Sequence, residues 1–178
     1  MAKGEGGGLR PMKAKRQESC CFTGHRPEKL PWRGEEDDPR ALALKERIFD
    51  VVEALYQAGM RHFICGMARG CDFYFCEAVL HLREEHGEIT LEAAIPFEGQ
   101  ASDWSERERN RYFHLVSQCD VETVLTTAYE KDCMKTRNYY MVDHAAVLIA
   151  VYDGLFGGTM QTVNYAKKQG LEVIEIRP

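Results

Sequence analysis

The feature that most limits what this chain can become is a regular alternation of two periods. Short apolar runs recur between longer stretches in which apolar residues fall at helical spacing. The run SCCFT at 19–23 reads as a strand. In the stretch 40–58, Leu44, Ile48, Val51, Val52 and Leu55 share one side of a helix, and Gly59 is placed to end it. Further strands are expected at 61–65, 89–95 (closed by Pro96), 121–125, 146–151 and 171–176. Further helices are expected at about 72–85, 102–118, 132–144 and 159–169. Strand–helix repetition of this kind calls for right-handed crossovers and a mostly parallel sheet. The central strands, apolar on both faces, suit a sheet covered on both sides. The predicted fold is therefore an α/β, Rossmann-like three-layer sandwich. It occupies 19–178 as one domain, preceded by a flexible, glycine-rich and basic tail over 1–18.

Composition narrows the function classes. The chain has a formal net charge of -5 and a pI of about 5.7, an acidic balance that argues against a nucleic-acid partner. Nowhere do about 18 apolar residues run together, so no membrane span is expected. No apolar leader follows the basic N-terminus, which reads as cytoplasmic. The seven cysteines include an adjacent pair and no CxxC spacing. They read as small buried hydrophobes rather than a disulfide framework or a zinc site. No metal or required cofactor is expected.

In a doubly wound sheet, ligands bind beyond the carboxyl ends of the strands, so the segments after each strand carry the search. The first holds Gly24, His25 and Arg26; the arginine presents a planar fork of donors suited to phosphate or carboxylate, or else simply decorates a tight turn. The second is GMARGCD, where Gly66 and Gly70 admit a close backbone approach. Asp72 there either caps the next helix, the favoured reading, or meets a ligand. The third, Asp153 to Thr159, sets Gly157, Gly158 and Thr159 at a helix start, where backbone amides and the helix dipole welcome an anion. It matches neither GxGxxG nor the Walker A pattern. On the helix before the fifth strand, Arg137 shares a face with Met134 and Met141. A guanidinium on a buried face needs an anion, either a ligand or an internal acid such as Asp143 or Asp153. Asn138 follows it. Gln100 and Trp104 are four apart, with Trp104 favoured as core over base stacking.

The segments TGHRPEKL, GMARGCD, IPFEGQASDW, TRNYYMVDHA and LIAVYDGLFGGTMQTVNYAKK resemble the YpsA family of bacterial proteins, in the family's order, over about 19–178. The resemblance places the chain in the SLOG superfamily, beside DprA-type proteins and LOG phosphoribohydrolases. It implies a pocket for a nucleotide or nucleotide-derived ligand, ADP-ribose-like compounds included, and a role as sensor or regulator linked to cell division or stress. Compared with the LOG enzymes, Asn138 replaces the lysine of their helix motif, and Thr162 stands where their catalytic glutamate would be. Threonine cannot carry the negative charge that steadies a developing sugar cation, so hydrolysis of nucleoside monophosphates is the alternative reading; Asp153 or Asp143 could substitute. Arg26, Arg137, Gly157, Gly158 and Thr159 are expected on phosphate, and Asp72 or Asn138 on ribose. A homodimer is compatible with this reading.

Overall fold

The computed structural model describes residues 14–178. The expectation of a flexible tail falls mainly on 1–13, outside the described residues; Arg16–Glu18 form a 3-10 turn leading into the sheet. In chain order the elements are β1 (Ser19–Gly24), α1 (Pro39–Gln57), β2 (His62–Cys65), α2 (Cys71–Glu85), β3 (Thr90–Phe97), α3 (Glu106–Ser117), β4 (Val121–Thr126), α4 (Cys133–Asp143), β5 (Val147–Val151), α5 (Gly158–Lys168) and β6 (Glu172–Ile176).

All six strands form one sheet in the order β4-β3-β2-β1-β5-β6. Every neighbouring pair is parallel, so the sheet is wholly rather than mostly parallel. β1 lies centrally, with Cys21 opposite Ile64 on one side and Leu148 on the other. The order reverses between β1 and β5. That reversal is the switch point at which two neighbouring loops leave in opposite directions and open a crevice.

The two-residue period of the strands divides the interior. Cys20, Phe22, Phe63, Cys65, Leu91 and Ile149 point toward α1, α2 and α3. Cys21, Ile64, Ala94, Leu148 and Ala150 point toward α4 and α5. The helices thus form the outer layers of the sandwich, on the faces that right-handed crossovers dictate. In α1 the buried residues are Ala41, Leu44, Ile48, Val52 and Leu55. Each buried leucine or isoleucine is worth about 1.5–3 kcal/mol of transfer free energy. Asp38 caps this helix by accepting from the Arg40 amide at 2.9 Å, and Pro39 occupies the first turn, where no amide partner is lost.

Two boundaries differ by more than one residue from the sequence reading. β3 continues through Pro96 to Phe97. β2 has already ended, with Cys65 opposite Ala93, so a residue without an N–H is tolerated at 96. α3 begins at Glu106 rather than near 102. Ser105 sets this start: its hydroxyl accepts from the Glu108 amide at 3.3 Å, and the Glu108 carboxylate accepts from the Ser105 amide at 3.2 Å.

Candidate functional site

A cavity of about 350 Å³ opens beyond the carboxyl end of β1, beside the start of α5. Its walls include Gly24, His25 and Arg26 from the β1 end, Asp72 from α2, Arg137 and Asn138 from α4, and Gly158 and Thr159 from α5. Segments far apart in sequence meet here because the switch point brings β1 beside β5: His25 Nε2 stands 3.2 Å from both the Asp153 amide nitrogen and its carboxylate.

Arg137 dominates the electrostatics. The residue is 4% exposed, and burial pushes its pKa down, opposed chiefly by the negative charge of Asp72. Among the described residues no carboxylate lies within ion-pairing distance of it. Asp143 instead accepts from Tyr165 Oη at 2.9 Å, and Asp153 faces His25, so neither supplies the internal ion pair considered from sequence. Neutral groups hold the guanidinium. It donates to Gly66 O, to Asn138 Oδ1 at 2.7 Å and to Gln100 Oε1 at 3.5 Å, and Met134 Sδ lies 3.9 Å from Nη2. A buried cation held only by dipoles retains the capacity to meet an anion.

Gly66 makes this possible. A Cβ there would stand 2.6 Å from Arg137 Cζ, so the guanidinium occupies the space a side chain would need. Gly66 therefore packs behind the cavity rather than lining it. Gln100 does likewise, with Nε2 donating to Met67 O at 3.1 Å. Gly70 has φ +86 and lies close enough to His25 O for a Cβ to come within 2.8 Å; it caps α2 and leaves the cavity wall to Ala68 and Asp72. Trp104 packs edge-on against Phe73 and Tyr112 with Arg69 above it, on the core side of the loop. Asp153 and Gly157 sit at the loop outside the walls.

Asp72 is not the cap of α2. It is the second residue of the helix, and Oδ2 accepts from the Ala68 amide at 3.0 Å. Burial raises its carboxyl pKa to about 6, against the pull of Arg137, the Ala68 amide and Arg26. It is a carboxylate that lines the cavity, the place that sequence had offered to Asp153 or Asp143.

On the opposite wall, no side chain caps the N-terminus of α5. Its first amides have no partner within the helix and bear the positive end of the dipole. Thr162, at 1% exposure, donates to Gly158 O at 2.9 Å and accepts from Asn138 Nδ2 at 3.0 Å. Where a LOG enzyme would carry a glutamate, this chain carries a hydroxyl that ties α5 to α4. Sequence reading missed Lys29. It lines the cavity from the 3-10 turn Pro27–Lys29, and a Cβ on Gly157 would meet its Nζ at 2.7 Å. The signal was available, since Lys29 follows Arg26 by three residues in a turn of three-residue period. Glu28, also in the wall, is drawn to Arg69 at 2.7 Å. Among the described residues no three His, Cys, Asp or Glu side chains gather as a metal ion would require, and no helix is long and apolar enough to cross a membrane.

The parallel sheet, its switch point and the crevice there define an α/β protein of the Rossmann-like class. The family model described as the YspA SLOG family matches residues 20–174, and the chain belongs to this YpsA family. It is similar to the uncharacterized SPbeta prophage-derived protein YoqJ of Bacillus subtilis (strain 168), with 32% identity over 144 residues, 74% of this chain and 84% of the relative. It is also similar to a UPF0398 protein of Bacillus thuringiensis (strain Al Hakam), with 27% identity over 153 residues, 84% of this chain and 83% of the relative. Among solved structures, DNA processing protein A (DprA) from Streptococcus pneumoniae superposes with a TM-score of 0.59 at 14% identity, over 89% of this chain and 50% of that one. The Helicobacter pylori DNA processing protein A, described by its single-stranded DNA binding mode, gives 0.60 at 14% identity, over 90% and 65%. This chain thus spans only half to about two thirds of those neighbours.

The neighbours correct one expectation. Net acidity argued against a nucleic-acid partner, yet this fold is shared with a protein whose single-stranded DNA binding has been described. Net charge is a sum over the whole surface, and it does not register Arg26, Lys29 and Arg137 gathered at one crevice.

Proposed function

We propose that this chain binds a phosphorylated nucleotide in the switch-point cavity and serves as a sensor or regulator of that ligand. The observation that carries the reading is Arg137, a buried guanidinium in the cavity wall with no carboxylate in ion-pairing range among the described residues. A phosphate would supply the countercharge. The uncapped amides of α5, the Thr159 hydroxyl, Arg26 and Lys29 add donors around the same space. Asp72 and Asn138 are the groups suited to ribose hydroxyls. A volume of about 350 Å³ lies within the range of small-ligand sites. Thr162 at the position of the LOG glutamate favours binding over hydrolysis, because a neutral hydroxyl engaged by Asn138 and Gly158 offers a sugar cation no negative charge.

Calorimetric titration with AMP and ADP-ribose tests this. Binding is expected, and Arg137→Ala is expected to weaken it by about 1–3 kcal/mol, or roughly fivefold to 150-fold. Unchanged affinity would remove Arg137 from the site. Incubation with nucleoside monophosphates is expected to release no free base; release would replace the sensor with a hydrolase, with Asp72 the carboxylate in place. The described mode of the Helicobacter pylori neighbour favours a second reading, binding of single-stranded DNA across the cavity mouth. Oligonucleotide binding that falls steeply with salt would identify that mode, because polymer binding releases condensed counterions.

A further inference from the structure

A second cavity of about 290 Å³ adjoins the first, and Met134, Asn138 and Gly158 line both. The shared ridge includes the start of α5, where the anion-receptive amides lie. A phosphate held there would have open space on either side. The far compartment differs in character from the near one. It is lined by Tyr129, Tyr139, Lys135 and Gln161. Tyr139 is fixed by stacking on Tyr165, with centroids 3.7 Å apart and planes 10° apart. Tyr129 is 69% exposed and meets Phe97 only edge-on, at 5.5 Å. An aromatic face left open beside a polar groove suits a planar base, because every nucleobase presents a π-face to stack. Lys135 Nζ stands 5.5 Å from the Tyr139 ring centroid, a further cation on this side of the ridge.

We infer that the ligand is a dinucleotide: two nucleosides joined through phosphate, the linkage held between Arg137 and the start of α5, one nucleoside beside Asp72, and the other against Tyr129. The inference rests on the reading of the first cavity as a nucleotide site and adds the class of its ligand. A mononucleotide would fill one compartment and leave the aromatic wall uncovered.

Titrations with AMP, with NAD+ (joined 5′ to 5′) and with the linear dinucleotide pApA test it. At least one dinucleotide is expected to bind more than fivefold more tightly than AMP. Tyr129→Ala, at an exposed position, is expected to abolish most of that gain and leave AMP affinity unchanged. AMP binding with a gain below fivefold for both dinucleotides would overturn this inference and leave the first reading standing. So would a gain that survives Tyr129→Ala. No binding of AMP or of either dinucleotide would overturn both. A ten-nucleotide single strand binding more than fivefold more tightly than pApA would overturn the dinucleotide in favour of a strand.

Discussion

Replacing Gly66 with alanine should dislodge the guanidinium around which the cavity is built. Gly66 does not adopt a left-handed backbone, so the substitution brings no φ strain, and its whole effect comes from one methyl group. The three atoms that methyl would approach most closely all belong to Arg137, with Cζ at 2.6 Å. Real Cβ contacts do not come so near, so the guanidinium must move, and it is buried with little room to do so. Overpacking of a rigid interior costs about 1–3 kcal/mol. Losing the charge-assisted bond to Gly66 O costs about 1.5–3 kcal/mol. Both losses arise from the same displacement, so they overlap; a net destabilisation of about 2–4 kcal/mol is expected, lowering Tm by about 5–15 °C. Urea unfolding of four proteins measures it: the parent, Gly66→Ala, Arg137→Ala and the double variant. In the Arg137→Ala background the methyl meets empty space, and the cost of Gly66→Ala should fall below about 1 kcal/mol. An equal cost in both backgrounds, or no cost in the parent, would refute the argument that Arg137 fills the space beside Gly66. The same Gly66→Ala variant should lose nucleotide affinity alongside Arg137→Ala.

The Asp72 carboxyl, raised by burial to about 6 from an ordinary 3.8, binds a proton more readily in the folded chain than in the unfolded one. Stability should therefore fall as pH rises from about 4 to about 6, by up to about 3 kcal/mol from this group alone. The difference between parent and Asp72→Asn unfolding curves across that window isolates it, and a difference that does not vary with pH would refute it. Thr162→Val keeps the shape but leaves Asn138 Nδ2 without its acceptor; a loss of about 1–3 kcal/mol is expected in thermal unfolding, and a stability equal to the parent's would show that the hydroxyl does not tie α5 to α4.

Much of the architecture was legible because it is written in near-neighbour relations. The apolar run VLIAV, the helical spacing of Leu44, Ile48, Val52 and Leu55, and the glycines after β5 each involve residues a few positions apart, so periodicity alone predicts strand, helix and turn. Arg137 between Met134 and Met141 likewise announced a buried cation, since residues three and four apart on successive helix turns share a face without help from the rest of the fold. The missed boundaries, at Pro96 and Ser105, depended on where a neighbouring strand ended and on a cap bond that spacing does not settle.

The site is different in kind. His25 and Asp153 are 128 positions apart, and they meet only because the strand order reverses between β1 and β5. The sequence offered Asp143 and Asp153 as acids near Arg137, and neither pairs with it. Asp72 lines the cavity, while Asp143 faces Tyr165 and Asp153 faces His25, and which one does so follows from the face of the sheet each helix covers. The same holds for Lys29 beside Gly157 and for the compartment beyond Gly158. The sequence by itself determined the layers, the strands and the buried guanidinium, because local periodicity decides which faces of each element are apolar. The tertiary structure alone decided what surrounds that guanidinium, because the approach of distant segments depends on sheet order and on the room a missing side chain leaves.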